Sequence, residues 1–129
     1  MKQVKKSALL SAIGLLLVIM TVQLFAQGQQ QKNRAQIAWD LIRQQNALVI
    51  DVRTEEEFLS GHLEKAVNIP LQTIGQKILQ VYPDKERPIV LYCRSGNRSQ
   101  QAFNILKNLG YKNIYNGGGY EELLAYKPK

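Results

Sequence analysis

The sequence predicts an α/β fold, a small parallel β-sheet with helices on both faces. Short, wholly apolar runs such as Ala47–Ile50 and Ile89–Tyr92 have the continuous hydrophobicity of strands buried on both sides. Between them lie stretches whose apolar residues recur every three or four positions, so strands and amphipathic helices alternate along the chain. The length, 129 residues, suits one domain with one core, and no internal repeat interrupts it.

The first segment stands apart from that pattern. Lys2, Lys5 and Lys6 precede an uncharged stretch from Ser7 to Gln31 whose apolar part is Ala8 to Val22, the layout of a secretory signal. Residues 1–26 are therefore expected to be a signal peptide, 27–33 a polar, glutamine-rich linker, and 34–129 the folded domain. Cleavage after Ala26 or after Gly28 would follow small residues. The alternative is an uncleaved anchor, because the 19 residues from Ala8 to Ala26 approach the roughly 20 that cross a bilayer. Both readings put the domain outside the cytoplasm, in the periplasm, and confine any membrane contact to the N-terminal segment. No cysteine follows the apolar run to accept a lipid.

Within the domain, Ile37, Ala38, Leu41 and Ile42 predict a helix from Arg34 to about Gln45, ended by Asn46. Ala47–Ile50 is the first strand. Thr54, with Glu55, Glu56 and Glu57 behind it, makes a capped and acidic helix start, and this helix ends near Gly61. Ala66–Ile69 is the second strand, Thr73–Tyr82 a helix broken by Pro83, and Ile89–Tyr92 the third strand. Ser99–Leu109 is helical with Gly110 as its stop. Asn113–Tyr115 is a short strand, Gly117–Gly119 a flexible turn, and Tyr120–Tyr126 a last helix.

Charge and cysteine usage narrow the function. Without the three N-terminal lysines the net charge falls from +7 to +4, and the remaining basic residues are scattered. That pattern gives no support to nucleic-acid binding and suits a small anionic ligand. The single cysteine, Cys93, forms no internal disulfide. It closes the third strand, enters a loop of Arg94, Ser95, Gly96, Asn97 and Arg98, and is followed by a helix. Backbone N–H groups and a helix N-terminus there favour a thiolate and a bound anion, the setting of a nucleophile. In parallel sheets, ligands bind beyond the carboxyl ends of the strands, and that is where Cys93 falls.

Three segments together resemble the rhodanese family. They are Val49-Ile-Asp51-Val-Arg53 with Glu57-Phe-x-x-Gly61-His62 and Ala66-Val-Asn-Ile-Pro70, then Tyr92-Cys93-Arg-Ser-Gly-Asn-Arg98-Ser99, then Asn116-Gly-Gly-Gly119-Tyr. The likeness spans about residues 34–126, and the export signal and small size are similar to the periplasmic single-domain members of the phage-shock type. The resemblance implies a rhodanese-like fold and sulfur transfer from thiosulfate, or another small anionic donor, to a thiol or cyanide acceptor through a persulfide on Cys93. It requires no cofactor and no metal. Arg94 and Arg98 are then the expected substrate clamps, and Ser95, Gly96, Asn97 and Ser99 the rest of the anion cradle. Ser95 and Ser99 hydroxyls either donate to the persulfide or cap the helix. Asp51 and Arg53 are expected as a supporting ion pair, and His62 as part of a structural Gly-His turn rather than a Cys–His dyad. Glu55–Glu57 read as a solvated helix start.

Two other readings are set against this one. A cysteine phosphatase or arsenate reductase also places a thiolate in an anion loop, but with the C-x5-R spacing; here Arg98 stands five positions after Cys93, and Tyr92 replaces the usual preceding histidine. A non-catalytic sulfur-binding module would be expected to lose the cysteine, which this chain keeps. The oligomeric state is not legible.

Overall fold

The computed structural model describes residues 2–27 and 30–129, with side chains over 8–26 and 30–129. The chain divides into two units, Met1–Gln31 and Lys32–Lys129. The first is helix α1 (Lys2–Gln27), in which Ala8–Ala26 is exposed, long enough and apolar enough to cross a membrane. The second proposed cleavage point, Gly28, lies outside the described residues, as does Gln29 of the linker.

The second unit holds α2 (Arg34–Gln44), β1 (Leu48–Asp51), α3 (Glu55–Ser60), β2 (Val67–Asn68), α4 (Leu71–Val81), β3 (Ile89–Cys93), α5 (Asn97–Asn108), β4 (Ile114–Gly119) and α6 (Tyr120–Ala125). The caps follow the sequence. Asn33 and Thr54 both close capping boxes, with Gln36 and Glu57 respectively, and Asn46 takes the left-handed conformation (φ 50°) just beyond α2.

All four strands are parallel, in the order β2-β1-β3-β4. Successive side chains of a strand point to opposite faces, so the two central strands feed two cores. On one face Leu48, Ile50, Ile89, Leu91 and Cys93 pack with Ile74 and Ile78 of α4 and Ala102 and Leu106 of α5. On the other, Val49, Val90 and Tyr92 pack with Ala35 and Ala38 of α2 and Leu123 of α6. Trp39 ties that second layer together by donating from Nε1 to the Leu123 carbonyl at 2.8 Å. The fold is the α/β class that the sequence predicts.

One element differs from expectation. Gly117–Gly119 is not a flexible turn but the buried end of β4, paired with Tyr92 and Cys93 of β3. Asn116 pairs with Leu91 and Gly118 with Tyr92, which leaves Gly117 as an inserted residue, a β-bulge. Close approach explains the glycines. A Cβ on Gly117 would stand 3.0 Å from Val90 Cγ1, and one on Gly119 would meet the Arg94 carbonyl. Local propensity disfavours glycine in a strand, and packing against β3 and α2 overrides it.

Candidate active site

Because every strand is parallel, Asp51, Cys93 and Gly119 reach the same sheet edge. The loop after Cys93 is shorter than periodicity suggests, for α5 starts at Asn97 and only Arg94, Ser95 and Gly96 lie between. Gly96 is its N-cap at φ 104° and ψ −9°, a left-handed conformation open to glycine, and no side chain caps the helix. Neither Ser95 nor Ser99 is therefore a helix cap.

Cys93 is 1% exposed, and its Sγ accepts a hydrogen bond from the Gly96 N–H at 3.0 Å. Ser99 Oγ lies 3.5 Å from it. Burial pushes the thiol pKa up, but the Ser99 hydroxyl and the N–H groups of Ser99, Gly96 and Ser95 outweigh burial and hold it below the ordinary value. Ser99 Oγ also donates to Asn116 Oδ1 at 2.7 Å, while Asn116 Nδ2 donates to the Gly96 carbonyl at 3.0 Å. Asn116 thus braces the loop from β4. Its place ahead of the triple glycine was visible in the sequence, but its role was not.

The two arginines expected as free clamps are both answered by one carboxylate. Arg98 Nη1 and Nη2 donate to Glu57 Oε1 and Oε2 at 2.6 and 3.0 Å, and Arg94 Nη2 lies 3.3 Å from Glu57 Oε2. The hydrogen bond from Arg98 holds the Glu57 carboxyl down to about 2, against the opposing effect of burial. Glu57 is thus no solvated helix start. It ties α3 to Arg94 of the loop and Arg98 of α5, and that corrects the sequence reading of Glu57. Arg98 is committed to this pair, whereas the Arg94 side chain is 76% exposed. A pair 41 residues apart leaves no local signature, so sequence reading missed it.

Asp51 and Arg53 pair with each other. Arg53 Nε sits 3.0 Å from both Asp51 oxygens, Arg53 Nη2 is 2.7 Å from Oδ2, and the Arg53 backbone N–H also donates to Oδ1. The guanidinium lies over the Tyr120 ring, 4.6 Å from its centroid, and donates to the Gly61 carbonyl. His62 stacks on Phe58, with ring centroids 3.7 Å apart, and its Nδ1 bonds the Phe58 carbonyl. Asn97 is exposed at the first turn of α5. Among the described residues no group of three or more His, Cys, Asp or Glu side chains could hold a metal ion.

A further cation, unremarked in the sequence, lies against the loop. Arg34, at the start of α2, packs on Gly96 and Gly118 and bonds Glu122 of α6. What gathers at this edge is a buried thiol of lowered pKa, N–H donors aimed at its sulfur, and guanidinium groups around them. Such an arrangement stabilises a sulfur anion in a space of very few atoms.

The chain belongs to the rhodanese family, whose model, the Rhodanese-like domain, matches residues 34–125. It is 38% identical over 80 residues to the thiosulfate sulfurtransferase PspE of Escherichia coli strain K12, covering 62% of this chain and 77% of that one. A solved structure described as a rhodanese with anions from E. coli superposes with a TM-score of 0.57 at 37% identity, over 59% of this chain and 89% of the other. A tRNA uridine(34) hydroxylase of Buchnera aphidicola is 29% identical over 59% of this chain, which spans only 26% of that longer protein. The family and the thiosulfate sulfurtransferases among its relatives support a rhodanese-type sulfurtransferase.

Proposed function

We propose that the protein moves a sulfane sulfur from thiosulfate, or a similar small anionic donor, to a thiol or cyanide acceptor through a persulfide on Cys93. The observation that carries this is the contact between Sγ and the Gly96 N–H in a loop only three residues long. In the first step the Cys93 thiolate attacks the outer sulfur of thiosulfate. A sulfur–sulfur bond to Cys93 forms, the bond to the SO3 group breaks, and sulfite leaves with that electron pair. In the second step the acceptor attacks the terminal sulfur and restores the thiolate. The N–H groups of the loop hold the persulfide sulfur, and Arg94, with its exposed side chain, draws the anionic donor. A cleft of about 400 Å³ lies beside Arg94, lined also by Glu57, Ser60, Tyr120 and Glu121.

The lone cysteine requires the acceptor to come from outside the chain, since no second thiol can resolve the persulfide. The loop, one residue shorter than C-x5-R, suits a single sulfur better than a tetrahedral phosphoryl group. The apolar N-terminal helix supports export, with cleavage after Ala26 or Gly28 favoured over a retained anchor.

Intact-mass measurement after incubation with thiosulfate tests the mechanism. The protein should gain one sulfur atom and lose it on addition of cyanide, with thiocyanate formed. Cys93→Ser should gain none. Equal gain by that variant, or no gain by the parent chain, refutes the persulfide. The mass of the protein recovered from its native host also reads the cleavage point directly.

A further inference from the structure

Helix α2 begins with a residue that local physics disfavours. Arg34 sits in the first helical turn, where the macrodipole favours anions, and that turn holds no acid to offset it. A cation kept against its local preference is accounted for by what it does elsewhere. Arg34 Nε and Nη2 donate to Glu122 Oε2 at 3.1 and 2.8 Å, so α6 fixes the guanidinium in place. The fixed group packs against Gly96 of the loop and Gly118 of β4. A Cβ on Gly96 would come 2.8 Å from Arg34 Nη1, and a Cβ on Gly118 would collide with Nε and Cζ.

The decisive contact is to the peptide between Ser95 and Gly96. Its carbonyl accepts from Arg34 Nη2 at 3.3 Å, and its N–H donates to Cys93 Sγ at 3.0 Å. One peptide plane is therefore held at both ends, by a cation on its oxygen and by the reacting sulfur on its hydrogen. A guanidinium on the oxygen also polarises the amide and strengthens its donation to a sulfur anion. We propose that Arg34, braced by Glu122, is a positioning residue of the sulfur site, acting on Cys93 through the Ser95–Gly96 peptide. The charged and titratable groups around Arg34 and the loop are Arg34 from α2, Glu57 from α3, Arg94 and Arg98 from the loop and α5, Tyr115 from β4, Glu122 from α6, and the Asp51–Arg53 pair at the end of β1. Arg34 alone among them touches the backbone that serves the sulfur.

This inference rests on Cys93 being the reacting thiol, and its test separates the two. The pH dependence of Cys93 alkylation by iodoacetamide is measured beside the rate of sulfur loading from thiosulfate, each with a thermal unfolding midpoint. Arg34→Ala should move the alkylation midpoint to higher pH and slow loading about tenfold. Glu122→Gln, which keeps the cation but loosens its brace, should shift both in the same direction by less. Arg34→Lys restores a charge without the planar group and should recover only part. If Arg34→Ala leaves both readouts within twofold of the parent, or if lysine restores both fully, the positioning role is wrong. Should Arg34→Ala fail to fold, parent-like values for Glu122→Gln and Arg34→Lys refute it equally. If the parent takes no sulfur from thiosulfate, the proposed function falls while the alkylation comparison still decides on Arg34.

Discussion

Two carboxylate–arginine pairs stand at the carboxyl edge of the sheet, and they differ in what they connect. Asp51 and Arg53 are two residues apart, at the end of β1, with side chains 0% and 7% exposed. Glu57 and Arg98 belong to α3 and α5 and remain 18% and 31% exposed. The first pair joins a strand to its own continuation and satisfies itself under Tyr92 and Tyr120. The second crosses from the first family segment to the cysteine loop. Burial makes the local pair costly to break. Connectivity makes the long-range pair the one that ties α3 to the helix behind Cys93. Depth in the protein and reach between elements are thus separable here.

The largest effect is expected where the buried pair is broken. Asp51→Ala leaves the Arg53 cation without its carboxylate in a dry site, and the loss should be about 3–5 kcal/mol in urea unfolding. Its alkylation profile at Cys93, measured on folded protein, should stay that of the parent. A large shift in that profile would erase the distinction between the two pairs.

Glu57→Gln comes next and acts differently. Glutamine still completes the Thr54 capping box, so the substitution removes the charge and little else. With Arg98 half-buried and solvent near, the expected loss is about 1 kcal/mol. Arg94 and Arg98, relieved of their carboxylate, should bind thiosulfate more tightly, seen as a lower KM. The pH dependence has a definite sign. The Glu57 carboxyl titrates lower in the folded state, so its stabilisation is present above the unfolded carboxylate range near 4.5 and fades as pH falls toward 2. The unfolding free energy of the parent should therefore fall more steeply with decreasing pH across that interval than that of Glu57→Gln. Parallel curves would mean that the pair contributes nothing to folding.

The smallest change is predicted for His62→Ala. It removes a stacked ring from Phe58 and should cost about 1 kcal/mol or less. Sulfur loading should be unaffected. Slowed loading with unchanged stability would bring the histidine into the chemistry and overturn its reading as turn structure.

Much of the molecule was legible in its residues. The buried strands announced themselves as apolar runs, the cap at Thr54 as a hydroxyl ahead of three acids, and the thiol at the sheet edge as a lone cysteine ahead of a helix. The misreadings share one cause. Gly117–Gly119 read as a turn because local propensity was all there was to weigh, whereas its real neighbours, Val90 and the Arg94 carbonyl, come from other elements. Glu57 read as solvated because its partners lie in another segment.

By itself, then, the sequence determined the alternation of strand and helix, the parallel sheet and the thiol at its carboxyl edge, because each depends on spacing within a few residues. Tertiary structure alone decided which charges meet. Arg98 belongs to Glu57, and Arg34 lies on the peptide that serves Cys93, because α2, α3, α5 and α6 converge there. Such pairings depend on three-dimensional distance, over which periodicity and propensity carry no information.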